Sequence, residues 1–118
     1  MRKILIVDDD YKFLLILENA LARLGYQIFI ARNSNEVLEI IDKEKPDLLL
    51  INILMKKIDT SYLFKVFKEN YINMKCIVIS NITKKNEDEY YFQNTKILIK
   101  PFSLKQILQQ IESLFILK

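Results

Sequence analysis

The sequence has no histidine and no tryptophan, a single cysteine, a single glycine and two prolines among its 118 residues. Without histidine there is no imidazole catalysis and no histidine metal site. One glycine does not make a glycine-rich phosphate loop, and one cysteine cannot close an intrachain disulfide. Most templates for a small enzyme are excluded by these absences, and no enzymatic activity is expected. Long hydrophobic runs are missing too. The longest, residues 48–55, is interrupted by Asn52 and stays far below the ~18 residues that span a bilayer. Met1, Arg2 and Lys3 open the chain as a signal peptide would, but the apolar run 4–7 is short and ends in three aspartates. Neither secretion nor membrane insertion is expected. Cys76 sits inside an apolar run, as a buried core thiol does, and a cytoplasmic location follows as the default. Charge of one sign is also lacking: 18 Lys and Arg are scattered among 15 Asp and Glu, for a net charge of +3. That balance describes a solvated surface, and no direct nucleic-acid binding is expected.

What remains is an ordinary soluble composition, 51% apolar and 28% charged. The length suits one domain over residues 1–118, which on folding buries roughly two-thirds of the surface the extended chain exposes. Short apolar runs at 3–7, 27–31, 47–51, 76–80 and 96–100 read as strands buried on both faces of a parallel sheet. Helical periods lie between them. Leu14, Leu17, Leu21 and Leu24 form a stripe, and Gly25 follows where a C-terminal glycine belongs. Tyr62, Leu63, Val66 and Phe67 form a second stripe, and Leu104, Ile107, Leu108, Ile111, Leu114 and Phe115 a third. Asn33 with Glu36, and Ser103 with Gln106, have the spacing of a capping box and mark helix starts. Residues 84–94 have little amphipathic order and support only a short helix. Five strands alternating with five helices, joined by right-handed crossovers, give a doubly wound α/β domain with a five-stranded parallel sheet.

Ligands of such sheets bind outside the carboxyl ends of the strands, where the strand order reverses. The first strand ends in Asp8, Asp9 and Asp10, the third in Asn52, the fourth in Ser80 and the fifth in Lys100 and Pro101. Crowded carboxylates repel, so a hard divalent cation such as Mg²⁺, or a lysine ammonium, is their natural neutraliser. Asp10 is read as a helix cap; Asp8 and Asp9 are read as the functional pair. Lys100, at the neighbouring strand end, is within reach of that pair.

With these residues in place the chain resembles the receiver domains of two-component response regulators. The resemblance covers essentially the whole chain. It rests on ILIVDDD with Asp8 and Asp9, on KPDLLLINILM leading to the acceptor position, on Ser80 after CIVI, and on Lys100-Pro101-Phe102 after KILI. It implies a flavodoxin-like fold with strand order 2-1-3-4-5. It also implies that Asp8 and Asp9 hold Mg²⁺, that Ser80 contacts a phosphoryl oxygen, and that Lys100 pairs with its charge.

Asn52 stands where the family carries the phosphorylated aspartate. A carboxamide oxygen lacks the full negative charge of a carboxylate and is delocalised with nitrogen, so it is a far poorer nucleophile. The following loop reads MKKIDT, with Lys56, Lys57 and Thr60 replacing the usual proline and glycines. Ile97 stands three residues before Lys100, where an aromatic is common, and Asn81 follows Ser80 where a small residue is usual.

These departures favour a degenerate receiver, a protein-interaction module held in one conformation without phosphate, with Lys100 and Lys56 neutralising Asp8 and Asp9 and with Mg²⁺ bound weakly at most. The alternative is a competent receiver that takes phosphate from a histidine kinase, Asn52 being an engineered or isolated substitution. A flavin-binding domain would need a Ser-, Thr- or Gly-rich loop after the first strand, and DDDYK there repels phosphate. The partners implied are signalling proteins, a histidine kinase or an output domain or protein. The family's association face would include Tyr90, Tyr91, Phe92 and Lys105, and a homodimer through residues 90–105 is an alternative use of it.

Overall fold

The five apolar runs form one parallel sheet in the order β2-β1-β3-β4-β5, with β1 Lys3–Val7, β2 Gln27–Ala31, β3 Leu48–Asn52, β4 Lys75–Ser80 and β5 Thr95–Ile99. The helices are α1 Tyr11–Arg23, α2 Ser34–Glu44, α3 Thr60–Asn70 and α4 Leu104–Ile116. The structure is a computed structural model and describes residues 1–71, 73–80, 95–99 and 102–116. The helix expected at 84–94 lies outside the described residues.

Alternate residues of each central strand face opposite helical layers. Leu5, Val7, Leu49, Ile51, Cys76 and Val78 pack against α2 and α3 through Val37, Ile41, Leu63, Phe64 and Phe67. Ile4, Ile6, Leu48, Leu50, Ile77 and Ile79 pack against α1 and α4 through Leu14, Leu17, Leu21, Ile107, Ile111 and Leu114. Each fully buried aliphatic or phenyl side chain contributes roughly 1.5–3 kcal/mol, so both layers are needed to hold the sheet. β1, β3 and β4 are covered on both faces, which is why their sequences are continuously apolar rather than alternating.

The helix stripes turn out narrower than the sequence suggests. Leu24 caps α1 and is exposed, because the chain leaves the helix at Gly25, whose φ is +92°. Tyr62 is exposed on α3 and Val66 half-buried, while Phe64 is buried beside Leu63 and Phe67, with the two phenyl rings in edge contact at 5.2 Å. Leu104 is likewise exposed at the start of α4.

β3 starts one residue later than expected. Asp47 is drawn out of the ladder because its carboxylate accepts the Lys3 backbone N–H at 2.7 Å while its own N–H donates to the Lys3 carbonyl. β4 and β5 each begin one residue earlier, at Lys75 and Thr95.

One of the two capping boxes forms in full, and at α2 the returning bond reaches the residue before the cap. The Asn33 side chain accepts the Glu36 N–H at 2.9 Å, and Glu36 reaches back to the Arg32 N–H. Ser103 and Gln106 exchange reciprocal bonds of 3.1 and 2.7 Å. α2 ends without glycine: Lys45 takes the left-handed conformation, φ +49°, and its N–H closes on the Ile41 carbonyl.

Candidate functional site

The chain runs from β1 to one side, into β2, and then crosses back to β3 on the other side, so the order reverses between β1 and β3. The registers align the carboxyl ends. Val7 is opposite Ile51, Asn52 opposite Ile79 and Ser80 opposite Ile99. Asp8, Asn52 and Ser80 therefore come to one edge of the sheet, and they are the buried polar and charged residues among those described, at 1%, 5% and 3% exposure.

Asn52 and Asp8 are directly joined. The Asn52 Nδ2 donates to Asp8 Oδ2 at 3.3 Å, and Asn52 Oδ1 accepts the Leu54 N–H at 2.9 Å. The backbone bond fixes the orientation of the carboxamide: an N–H can only donate, so the atom facing Leu54 must be the oxygen, and nitrogen is left to face Asp8. The other Asp8 oxygen, Oδ1, accepts the Asp10 N–H at 3.0 Å. Both oxygens of the buried carboxylate are thus engaged from within the chain.

Asp10 is the cap of α1, its Oδ1 accepting the Phe13 N–H at 3.2 Å, as its position in the sequence suggests. Asp9 is exposed. The functional pair is therefore split into a buried residue tied to Asn52 and an exposed one, with Asp10 the helix cap expected. Among the described residues, no group of three or more His, Cys, Asp or Glu side chains is placed to hold a metal ion. Of the functional pair, Asp8 is buried and Asp9 turns to solvent.

The loop after β3 is anchored along its length. The Ile53 N–H continues the ladder to the Ile79 carbonyl at 3.1 Å, and Met55 and Ile58 are buried in the layer under α2 and α3. Asp59 caps α3, accepting the Tyr62 N–H at 3.1 Å, and its own N–H donates to Ser34 Oγ at 2.9 Å. Lys56 and Lys57 are held between these anchors and face solvent. Lys56 does not neutralise Asp8 or Asp9: among the described residues neither it nor Lys57 meets a carboxylate at ion-pair distance. The Asp10, Leu54 and Ser34 contacts escape sequence reasoning because they use backbone N–H groups or an unremarkable serine.

Of the other expected site residues, Lys100, Pro101, Asn81, Tyr90, Tyr91 and Phe92 lie outside the described residues. Ile97 is half-buried on β5 and packs on the α2 and α3 layer, and Lys105 is exposed on α4. Cys76 is fully buried, and burial pushes its thiol far above the ordinary range by desolvating the thiolate. No described helix is long and apolar enough to cross a membrane.

Known proteins share this fold. The chain is 36% identical over 78 residues to the sporulation initiation phosphotransferase F of Bacillus subtilis (strain 168), a match that spans 66% of this chain and 63% of that protein. It is 31% identical over 109 residues to the DNA-binding transcriptional regulator NtrC of Proteus hauseri, spanning 91% of this chain and 23% of that one. The chain thus covers less than two-thirds of the length of these curated relatives. A response regulator receiver domain protein (CheY-like) from Methanospirillum hungatei JF-1 superposes with a TM-score of 0.81 at 28% identity, over 98% of this chain and 94% of that one. A two-component response regulator from Clostridium difficile shares the fold with a TM-score of 0.86 at 23% identity, over 99% and 98% of the two chains. The family model described as the response regulator receiver domain matches residues 4–112. On that match, and on a sheet that brings Asp8, Asn52 and Ser80 to its carboxyl edge, the chain belongs to the response regulator receiver domains of two-component signalling.

Proposed function

We propose that residues 1–118 form one receiver domain that works as a phosphorylation-independent protein-interaction module, cytoplasmic and without enzymatic turnover of its own. The observation that carries this reading is the Asn52 carboxamide, fixed by the Leu54 N–H and aimed at Asp8. In a working acceptor a carboxylate oxygen attacks phosphorus and the donor's leaving group departs with its electron pair. Asn52 offers only the neutral oxygen of a delocalised carboxamide, and one of the two lone pairs of that Oδ1 accepts the Leu54 N–H.

The same bond supplies a substitute for what the metal does elsewhere in the family. Mg²⁺, when bound at a receiver site, offsets carboxylate charge there. Here a neutral donor takes one oxygen of Asp8, and the chain holds one carboxylate fewer to offset. Asp8 and Asp9 remain as a weak Mg²⁺ site, and Ser80 and Lys100 keep the positions of the phosphoryl contacts without a phosphoryl group to contact. The partners are signalling proteins, a histidine kinase or an output domain or protein.

The test is incubation of the purified chain with acetyl phosphate and Mg²⁺, followed by intact mass. An unchanged mass is expected. An aspartyl phosphate mapped to any strand-end acid would overturn the reading and return the domain to the competent receivers.

A further inference from the structure

A cleft of about 490 Å³ opens at the opposite, amino-terminal edge of the sheet, between the carboxyl ends of α2 and α3. Its size falls within the roughly 300–1,000 Å³ of ordinary small-molecule sites. Three buried apolar residues, Ile41, Pro46 and Met74, contribute to its wall, and the half-buried ring of Tyr71 lines it as well. A thioether and a phenol ring favour contact with another aromatic ring.

The charges around it are unequally occupied. Lys45 Nζ donates to the Asp42 carbonyl at 3.2 Å, so one ammonium is spent on the negative carboxyl end of α2. Asp47 accepts the Lys3 N–H at 2.7 Å. Lys75, the first residue of β4, is half-buried and lines the cleft, and no described residue hydrogen-bonds or ion-pairs with its ammonium. An ammonium uncommitted among the described residues matches a single negative charge. Asp47 on the rim and the carboxyl ends of two helices oppose a second, so a phosphate dianion is disfavoured against a carboxylate.

From this combination we infer a binding site for a small aromatic carboxylate, with its ring against Tyr71 and Met74 and its carboxylate on Lys75. The site is separate from the Asn52 edge and does not depend on how that edge functions.

The experiment is a backbone amide NMR titration of the chain with 2-naphthoate, with 2-naphthalenemethanol as the uncharged analogue. Naphthoate should give saturating shifts confined to Lys45, Asp47, Tyr71, Met74, Lys75 and their neighbours, and the alcohol should bind about tenfold more weakly, as loss of one charge-assisted hydrogen bond implies. Lys75→Gln should lower naphthoate affinity to that of the alcohol, leave alcohol binding unchanged and keep the wild-type spectrum elsewhere. The site is refuted by shifts that do not saturate or that scatter over the surface. Equal binding of acid and alcohol, or a Lys75→Gln chain that binds naphthoate as the wild type does, refutes it equally.

Discussion

Asn52 Nδ2 lies 3.3 Å from Asp8 Oδ2, joining the carboxyl ends of β3 and β1 across 44 residues of sequence. The bond places a neutral donor beside a buried carboxylate at the point where the family concentrates negative charge. Removing it should be felt in stability. Asn52→Ala removes at once the carboxamide bond to Asp8 Oδ2 and the side-chain acceptor of the Leu54 N–H, and the expected loss is about 1–3 kcal/mol in a urea unfolding series. A loss below a few tenths would mean that solvent replaces the carboxamide without penalty.

Asn52→Asp should behave in the opposite sense toward metal. A second carboxylate close to buried Asp8 repels it, so the variant should unfold at lower temperature than the wild type in EDTA and recover when Mg²⁺ is added. The wild-type midpoint should barely respond to millimolar Mg²⁺. Differential scanning calorimetry with and without the ion checks both halves, and a wild-type midpoint that climbs steeply with Mg²⁺ would contradict the weak site.

The same variant should accept phosphate from acetyl phosphate slowly. The nucleophile is restored, but Lys56, Lys57 and Ile97 are unchanged. Labelling should therefore proceed with little chemical-shift change at 95–99 and 102–105, because Ile97 has no ring whose repacking could report the event. Rapid labelling with large shifts over that face would show a normal receiver disabled at one residue.

Ser34 and Asp59 tie the start of α2 to the loop that follows Asn52. Ser34→Ala should cost about 0.5–1.5 kcal/mol, the ordinary worth of one hydrogen bond, and should raise hydrogen exchange at the Asp59 amide. Asp59→Ala should cost about 0.5–2 kcal/mol through loss of the α3 cap. Unchanged exchange in Ser34→Ala would mean that the loop is held without this bond, by the Ile53 ladder bond, buried Met55 and Ile58 and the Asp59 cap.

Cys76 makes stability depend on alkaline pH. Its folded-state thiol titrates well above its ordinary value of 9.0 because the buried thiolate is desolvated. The unfolded chain therefore loses this proton first. Stability is unaffected by the thiol below its ordinary pKa and falls above it, by up to ~1.4 kcal/mol per pH unit. The wild type should lose stability relative to Cys76→Ala between pH 8 and pH 10, and a constant difference over that range would place the thiol in contact with solvent.

The order of the described elements and the polar ends of β1, β3 and β4 were legible in the amino-acid chain, because they depend on local periodicity and on which residue terminates each apolar run. Asp10, Asn33 and Ser103 could be read as caps for the same reason: a cap bonds to residues two or three positions on. The exposure of Leu24, Tyr62 and Leu104 could not, since which side of a helix faces the sheet depends on how the whole element docks. Only the tertiary structure decided that Asp8 is buried against Asn52 while Asp9 faces solvent. Only it, too, set the Asn52 carboxamide against Asp8, because that bond rests on the β1–β3 register and on a Leu54 N–H that any residue but proline would supply. A sequence names the side chains, but a hydrogen bond between residues far apart exists only once packing has fixed the distance and angle between them.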